Sequence, residues 1–176
     1  MPSLVVDGAV TPILHVSQIA TTLGLPLPPS HESTRLGWRL AAILDTWLER
    51  LQPLEWDVMT APTESRGRSI RNLTVNTFHP IELLPGAWES CRFDWDPDRD
   101  AEREAELTSP VEVVEYAERI AGRWTSFLYD TEEALAQRDP AVTSPRGAVA
   151  YSELLASQAW HAGFHLDQIE AFLGST

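Results

Sequence analysis

Apolar side chains recur every three to four positions from residue 36 onward. Leu36, Leu40, Ile43, Leu44, Trp47, Leu48 and Leu51 fall at i, i+4, i+7, i+8, i+11, i+12 and i+15. This is the stripe of an amphipathic helix, and Pro53 ends it. A second helix is predicted over about 66–84, closed by Pro85-Gly86. A third opens at Ser109-Pro110-Val111-Glu112, an N-cap, a first-turn proline and a capping-box glutamate in register. It carries Val113, Ala117, Ile120, Ala121, Trp124 and Leu128 inward and ends before Asp139-Pro140. A fourth is predicted from near Arg146 almost to residue 176. Four helices of roughly 20 residues or more, each with one apolar stripe, predict a mainly α fold: an antiparallel four-helix bundle over residues 29–176.

Residues 1–28 follow a different pattern and form an appended segment. Two short runs of β-formers, 3–6 and 9–14, flank Asp7-Gly8, a strong hairpin signal because Gly8 accepts the positive φ of a tight turn. Val16, Ile19, Ala20 and Leu23 then give a short helix stopped by Gly24, followed by a stiff Pro-rich stretch at 25–29. Two connections are long. Residues 56–64 read as a polar loop. Residues 86–108 exceed what a bundle connection needs, which marks a functional loop or a solvated acidic one. Within it, Asp94 to Asp100 superficially resembles a calcium loop. Counting from Asp94, however, puts Arg99 at the turn glycine and Ala105 at the bidentate glutamate, and counting from Asp96 fails likewise.

Composition narrows the function. The 26 acidic and 13 basic residues give a net charge of −13, and every basic residue is Arg. So acidic a chain is repelled by phosphate backbones and anionic lipid, which argues against nucleic-acid and membrane-surface partners. The single Cys91 excludes an internal disulfide framework, a CxxC pair and a cysteine-built zinc site. No apolar run approaches the ~20 residues that span a bilayer, and the first residues lack the basic start of a signal peptide, so a cytoplasmic location is expected.

Chemistry concentrates on histidines. His161 and His165 form an HxxxH pair one helical turn apart, with Cβ atoms about 5–6 Å apart on one face. Leu154 and Gln158 lead into that face; Gln168, Ile169, Phe172 and Leu173 continue it, so both rings point inward. Buried neutral imidazoles need partners for a donor and an acceptor each, and a shared cation would satisfy both acceptors. The second helix supplies a polar ribbon, Asn72, Asn76, His79 and Glu82, from which His79 could be a third ligand. Spacing alone leaves open whether that ribbon is buried or solvated. His15 and His31 read as surface residues. Residue 162 is Ala, so the zinc-protease HExxH pattern is absent.

The stretches Arg71 to His79 and Trp160 to Gln168 resemble the DinB/YfiT-like metalloprotein superfamily. The resemblance covers about residues 29–176. It implies a four-helix bundle with a divalent metal, zinc or nickel, held by His79, His161 and His165. It further implies a thiol transferase or isomerase using mycothiol, bacillithiol or glutathione. Pro80, directly after His79, departs from that pattern. Residues 2–23 are similar, more weakly, to the C-terminal half of a glutaredoxin-like domain, without its CxxC half.

The expected function is a metal-dependent transferase. A low-molecular-weight thiol, deprotonated at the three-His site, would attack an electrophilic small molecule. No residue is assigned as catalytic. Asn76, Glu82, Trp160 and Gln168 are candidates for the surroundings of the site: Glu82 as extra ligand, proton acceptor or plain surface carboxylate, and Trp160 with Trp88 and Trp95 as walls of an apolar pocket or as ordinary packing. Two alternatives stand beside it: a bundle that binds a metal or small molecule without turnover, and a dimerising structural bundle with a vestigial site. The hairpin's free edges would allow pairing with a second copy.

Overall fold

In the computed structural model, which describes residues 3–6, 9–12, 23, 33–63, 67–145 and 147–174, the stripe from Leu36 forms helix α1 (Ser33–Leu51). Leu36, Leu40, Leu44, Trp47 and Leu51 are buried along one side of it. The chain divides into two units, Met1–His31 and Glu32–Thr176. In the first, β1 (Ser3–Val6) pairs antiparallel with β2 (Ala9–Pro12), Val6 opposite Ala9 and Ser3 opposite Pro12. The Asp7-Gly8 turn, residues 13–22 of the predicted strand end and helix, the linker at 25–29, His15 and His31 lie outside the described residues.

The second unit is mainly helical. Residues 56–64 were expected as a loop, yet α2 (Trp56–Thr60) forms there, and the Arg71 guanidinium lies over the Trp56 ring at 5.5 Å. Helix α3 (Ile70–Glu82) starts later than the expected residue 66. Pro62 and Ser69 form a bridge, Thr63 bonds across to the Arg68 carbonyl, and the Ser69 side chain caps the helix by accepting from the Asn72 N–H. Pro80 sits inside α3 without ending it. The break comes at Leu83, after which α4 (Leu84–Ser90) begins with Pro85 in its first turn, where a missing N–H costs nothing. Pro85-Gly86 therefore starts a helix rather than closing one.

The acidic stretch also departs from expectation. Residues 98–106 form helix α5 (Asp98–Glu106), which buries Asp100. Helix α6 (Pro110–Gln137) begins where the cap predicts, with Ser109 accepting from the Glu112 N–H. The Glu112 carboxylate reaches back to Thr108, accepting from its N–H at 2.6 Å and its hydroxyl at 2.8 Å, and these bonds hold its pKa below the usual value. Residues 147–150, expected as helix, are a strand instead. β3 (Ala141–Ser144) and β4 (Gly147–Ala150) make an antiparallel hairpin, with Gly147 at a φ of +112° that β-branched residues avoid. Val142 and Val149 sit opposite each other and are buried, which outweighs the helical reading of this segment. Phe93 and Cys91 add backbone bonds to Thr143.

Helix α7 (Tyr151–Leu173) follows. Helices α1 and α3 each pack against both α6 and α7. The approach of α1 to α6 is close at Gly37, where a Cβ would stand 2.5 Å from the Leu128 side chain, and Trp124 Nε1 donates to the Gly37 carbonyl. The shared core centres on Trp47, Trp124, Tyr151 and Phe78. Among the described residues no helix is long and apolar enough to cross a membrane.

Candidate functional site

Helix α3 turns its polar ribbon toward α5. Arg71 and Asn72 bond Glu104, Asn76 and His79 bond Asp100, and Glu82 pairs with Arg103. The ribbon that spacing left unplaced is therefore covered by a second, wholly polar helix face. His79 is 2% exposed and Asp100 7%.

One carboxylate organises this seam. Asp100 Oδ1 stands 2.5 Å from His79 Nδ1, and Oδ2 accepts from Asn76 Nδ2 at 3.1 Å. A carboxylate accepts only, so His79 Nδ1 carries its proton and, in the neutral ring, Nε2 is a bare lone pair. The amide of Asn76 is held with its oxygen toward α7, 3.1 Å from His165 Nε2.

On α7 the HxxxH spacing acts as the helix period requires. The rings of His161 and His165 lie 4.4 Å apart between centroids, with their Nε2 atoms at 2.9 Å. His165 is 2% exposed. Its Nδ1 donates to Gln168 Oε1 at 2.7 Å, one turn along the same helix. Burial holds the His165 pKa below its usual 6.5; the Gln168 bond opposes that shift, and the Arg68 charge adds to it. The ring is thus neutral near pH 7, with its proton on Nδ1. Its Nε2 lone pair then faces the lone pairs of Asn76 Oδ1. Arg68 Nη1 donates to the same oxygen at 3.5 Å.

Trp47 joins the two histidine helices. Its N–H donates to the Ala162 carbonyl at 3.0 Å, and its ring meets Phe78, the neighbour of His79, edge to face at 5.7 Å.

The predicted residues separate into two sets. His161, His165, Asn76 and Gln168 form one contact group, and His79 joins it through Asp100 and Asn76. Glu82 belongs elsewhere: its side chain, 12% exposed, pairs with Arg103, Arg119 and Arg123. Trp160 is 67% exposed and stacks on Phe164 at 5.3 Å. Trp88 is core, packed on Tyr151. Among the described residues, no group of three or more His, Cys, Asp or Glu side chains has the arrangement of a metal centre. Sequence reasoning missed Asp100, Arg68 and Trp47. For Asp100 no signal was present beyond its place in a charged run.

The donor chemistry nevertheless suits a cation at the α7 pair. Two imidazole nitrogens on one zinc ion, with bonds of about 2.0–2.1 Å, stand about 3.3 Å apart in a tetrahedral site. The Nε2 atoms here are within a few tenths of an ångström of that, and both buried histidines have Nδ1 engaged by an oxygen, the arrangement that aims Nε2 at a metal. No protein-family model, curated protein or solved structure matches this chain.

Proposed function

We propose that the four long helices, α1, α3, α6 and α7, constitute an antiparallel bundle of the DinB/YfiT-like kind, and that it holds a divalent cation, zinc or nickel, at His79, His161 and His165. The observation that carries this reading is the convergence of three polar atoms: His165 Nε2, a lone pair while Nδ1 donates to Gln168, has His161 Nε2 at 2.9 Å and Asn76 Oδ1 at 3.1 Å. Lone pairs brought together in a buried place cost free energy unless a proton or a cation sits among them.

The chemistry follows the donor set. His79, His161 and His165 would hold the cation as neutral imidazoles, and its positive charge would favour the thiolate form of a thiol bound beside it near neutral pH. Gln168 and Asp100 fix the protons of His165 and His79 on Nδ1. The protein contributes no nucleophile of its own; its single cysteine, Cys91, is exposed on the turn after α4. The reaction proposed is transfer of a low-molecular-weight thiol, of the mycothiol, bacillithiol or glutathione type, to an electrophilic carbon of a small molecule: the C–S bond forms as the carbon's leaving group departs with its electron pair, chloride in the case of monochlorobimane, and the thiol proton passes to solvent. Incubation of zinc- and nickel-loaded protein with each thiol and monochlorobimane tests it. Turnover that vanishes on chelation and returns with metal supports the reading; rates untouched by chelation refute it.

A further inference from the structure

We propose that Asp100 is a positioning residue, which sets the tautomer of His79 and the amide orientation of Asn76 and thereby controls the cation affinity of the histidine centre. The proposal rests on the cation reading above. It starts from the way α5 is attached. The helix, Asp-Arg-Asp-Ala-Glu-Arg-Glu-Ala-Glu, has no apolar side chain larger than alanine, and the residue it buries is an aspartate. Hydrophobic burial therefore does not hold α5 on α3. Polar pairs hold it on either side of Asp100: Glu104 takes Arg71 at 3.1 Å and Asn72 at 2.5 Å, and Arg103 takes Glu82 at 3.3 Å.

A carboxylate withdrawn from water this far is stable only with its oxygens bonded. Both are. His79 donates its Nδ1–H to Oδ1, which leaves Nε2 as the ring's lone-pair nitrogen. Asn76 gives Nδ2 to Oδ2, which turns its oxygen onto His165 Nε2. One group on α5 thus orients two donors on α3. An asparagine at this place has one acceptor and two donors. Its NH2 would meet either the Nδ1–H of His79 or the NH2 of Asn76, donor against donor. Relief comes by moving the His79 proton to Nε2, which blocks that nitrogen as a ligand, or by reversing the Asn76 amide.

The test compares wild type, Asp100→Asn and Glu104→Gln. Glu104→Gln weakens the attachment of α5 without touching Asp100, His79 or Asn76. Ring nitrogen shifts of His79, read by long-range proton–nitrogen NMR in metal-free protein, should show the Nδ1–H tautomer in wild type and in Glu104→Gln. In Asp100→Asn they should move toward Nε2–H, or the side-chain amide shifts of Asn76 should change in their place. Titration with zinc chloride alone should give about tenfold or greater loss of affinity in Asp100→Asn and a change within about threefold in Glu104→Gln. An Nε2–H ring in wild type overturns the positioning role whatever the zinc result, as do His79 ring shifts and Asn76 side-chain amide shifts that are both unchanged by Asp100→Asn. Equal zinc affinity in wild type and Asp100→Asn overturns it too, as does an equal loss in both variants, which would make α5 docking alone responsible. Failure of the cation reading looks different: wild type binds no zinc while the His79 shifts behave as stated.

Discussion

The indole N–H of Trp47 on α1 donates to the carbonyl of Ala162 on α7 across 3.0 Å, joining positions 115 residues apart. Ala162 follows His161 directly, so the bond fixes the height of α7 close to the point where His165 meets Asn76 of α3. Trp47 itself is fully buried.

Replacing Trp47 by Phe removes the donor, strands the bond's share of the carbonyl and leaves a small void. The expected loss is about 1–3 kcal/mol of folding stability. Urea unfolding followed by far-UV circular dichroism measures it. An unchanged midpoint would mean that the bond does not contribute to holding α1 against α7.

The pH dependence of the metal-free protein follows from His165. Its pKa is lowered below 6.5, mainly by burial, so below that pH the unfolded chain binds protons that the folded chain refuses. The stability contributed by the neutral ring is complete above pH 6.5 and is lost as pH falls through the lower, folded value. Urea midpoints taken in steps from pH 8 down to pH 5 should therefore decline below pH 6.5, and decline less in His165→Gln. Parallel profiles for the two proteins would show that the ring is not desolvated as described.

Much of the fold was legible, and the reason is local. Leu36, Leu40, Leu44, Trp47 and Leu51 share one side of α1 because a 3.6-residue period puts them there. Ser109 caps α6 through a bond made three residues away. His161 and His165 meet because four residues make about one turn. What was missed depended on partners far along the chain. Asp100 lies in a run whose charges show no apolar period; its burial is produced by His79, 21 residues earlier. Glu82 read as an accessory to His79, since only the turn between them is visible in the sequence, whereas Arg119 and Arg123 reach it from α6. Strand β4 was read as the start of a helix because Ala148, Val149 and Ala150 are compatible with either period, and the pairing of Val142 with Val149 decided it.

The Glu82 cluster gives an independent prediction. One carboxylate, 12% exposed, pairs with Arg103 of α5 and with Arg119 and Arg123 of α6. Glu82→Gln keeps the shape and leaves three guanidinium groups facing one another with no counter-charge from that position. A loss of about 1–2 kcal/mol is expected, partly recovered at higher salt because the repulsion it unmasks is screened. Urea unfolding at low and high ionic strength checks both parts. A loss independent of salt would assign Glu82 to packing instead.

The most direct measurement is anomalous X-ray scattering from crystals grown with zinc, which identifies the element and its neighbours together. The expected result is one ion per chain bonded to Nε2 of His161 and His165, with His79 as the third nitrogen. It should be absent from crystals of His161→Ala and His165→Ala protein. An ion elsewhere on the chain, or none near these rings at saturating zinc, would contradict a metal centre and leave only a helical scaffold with a buried polar network.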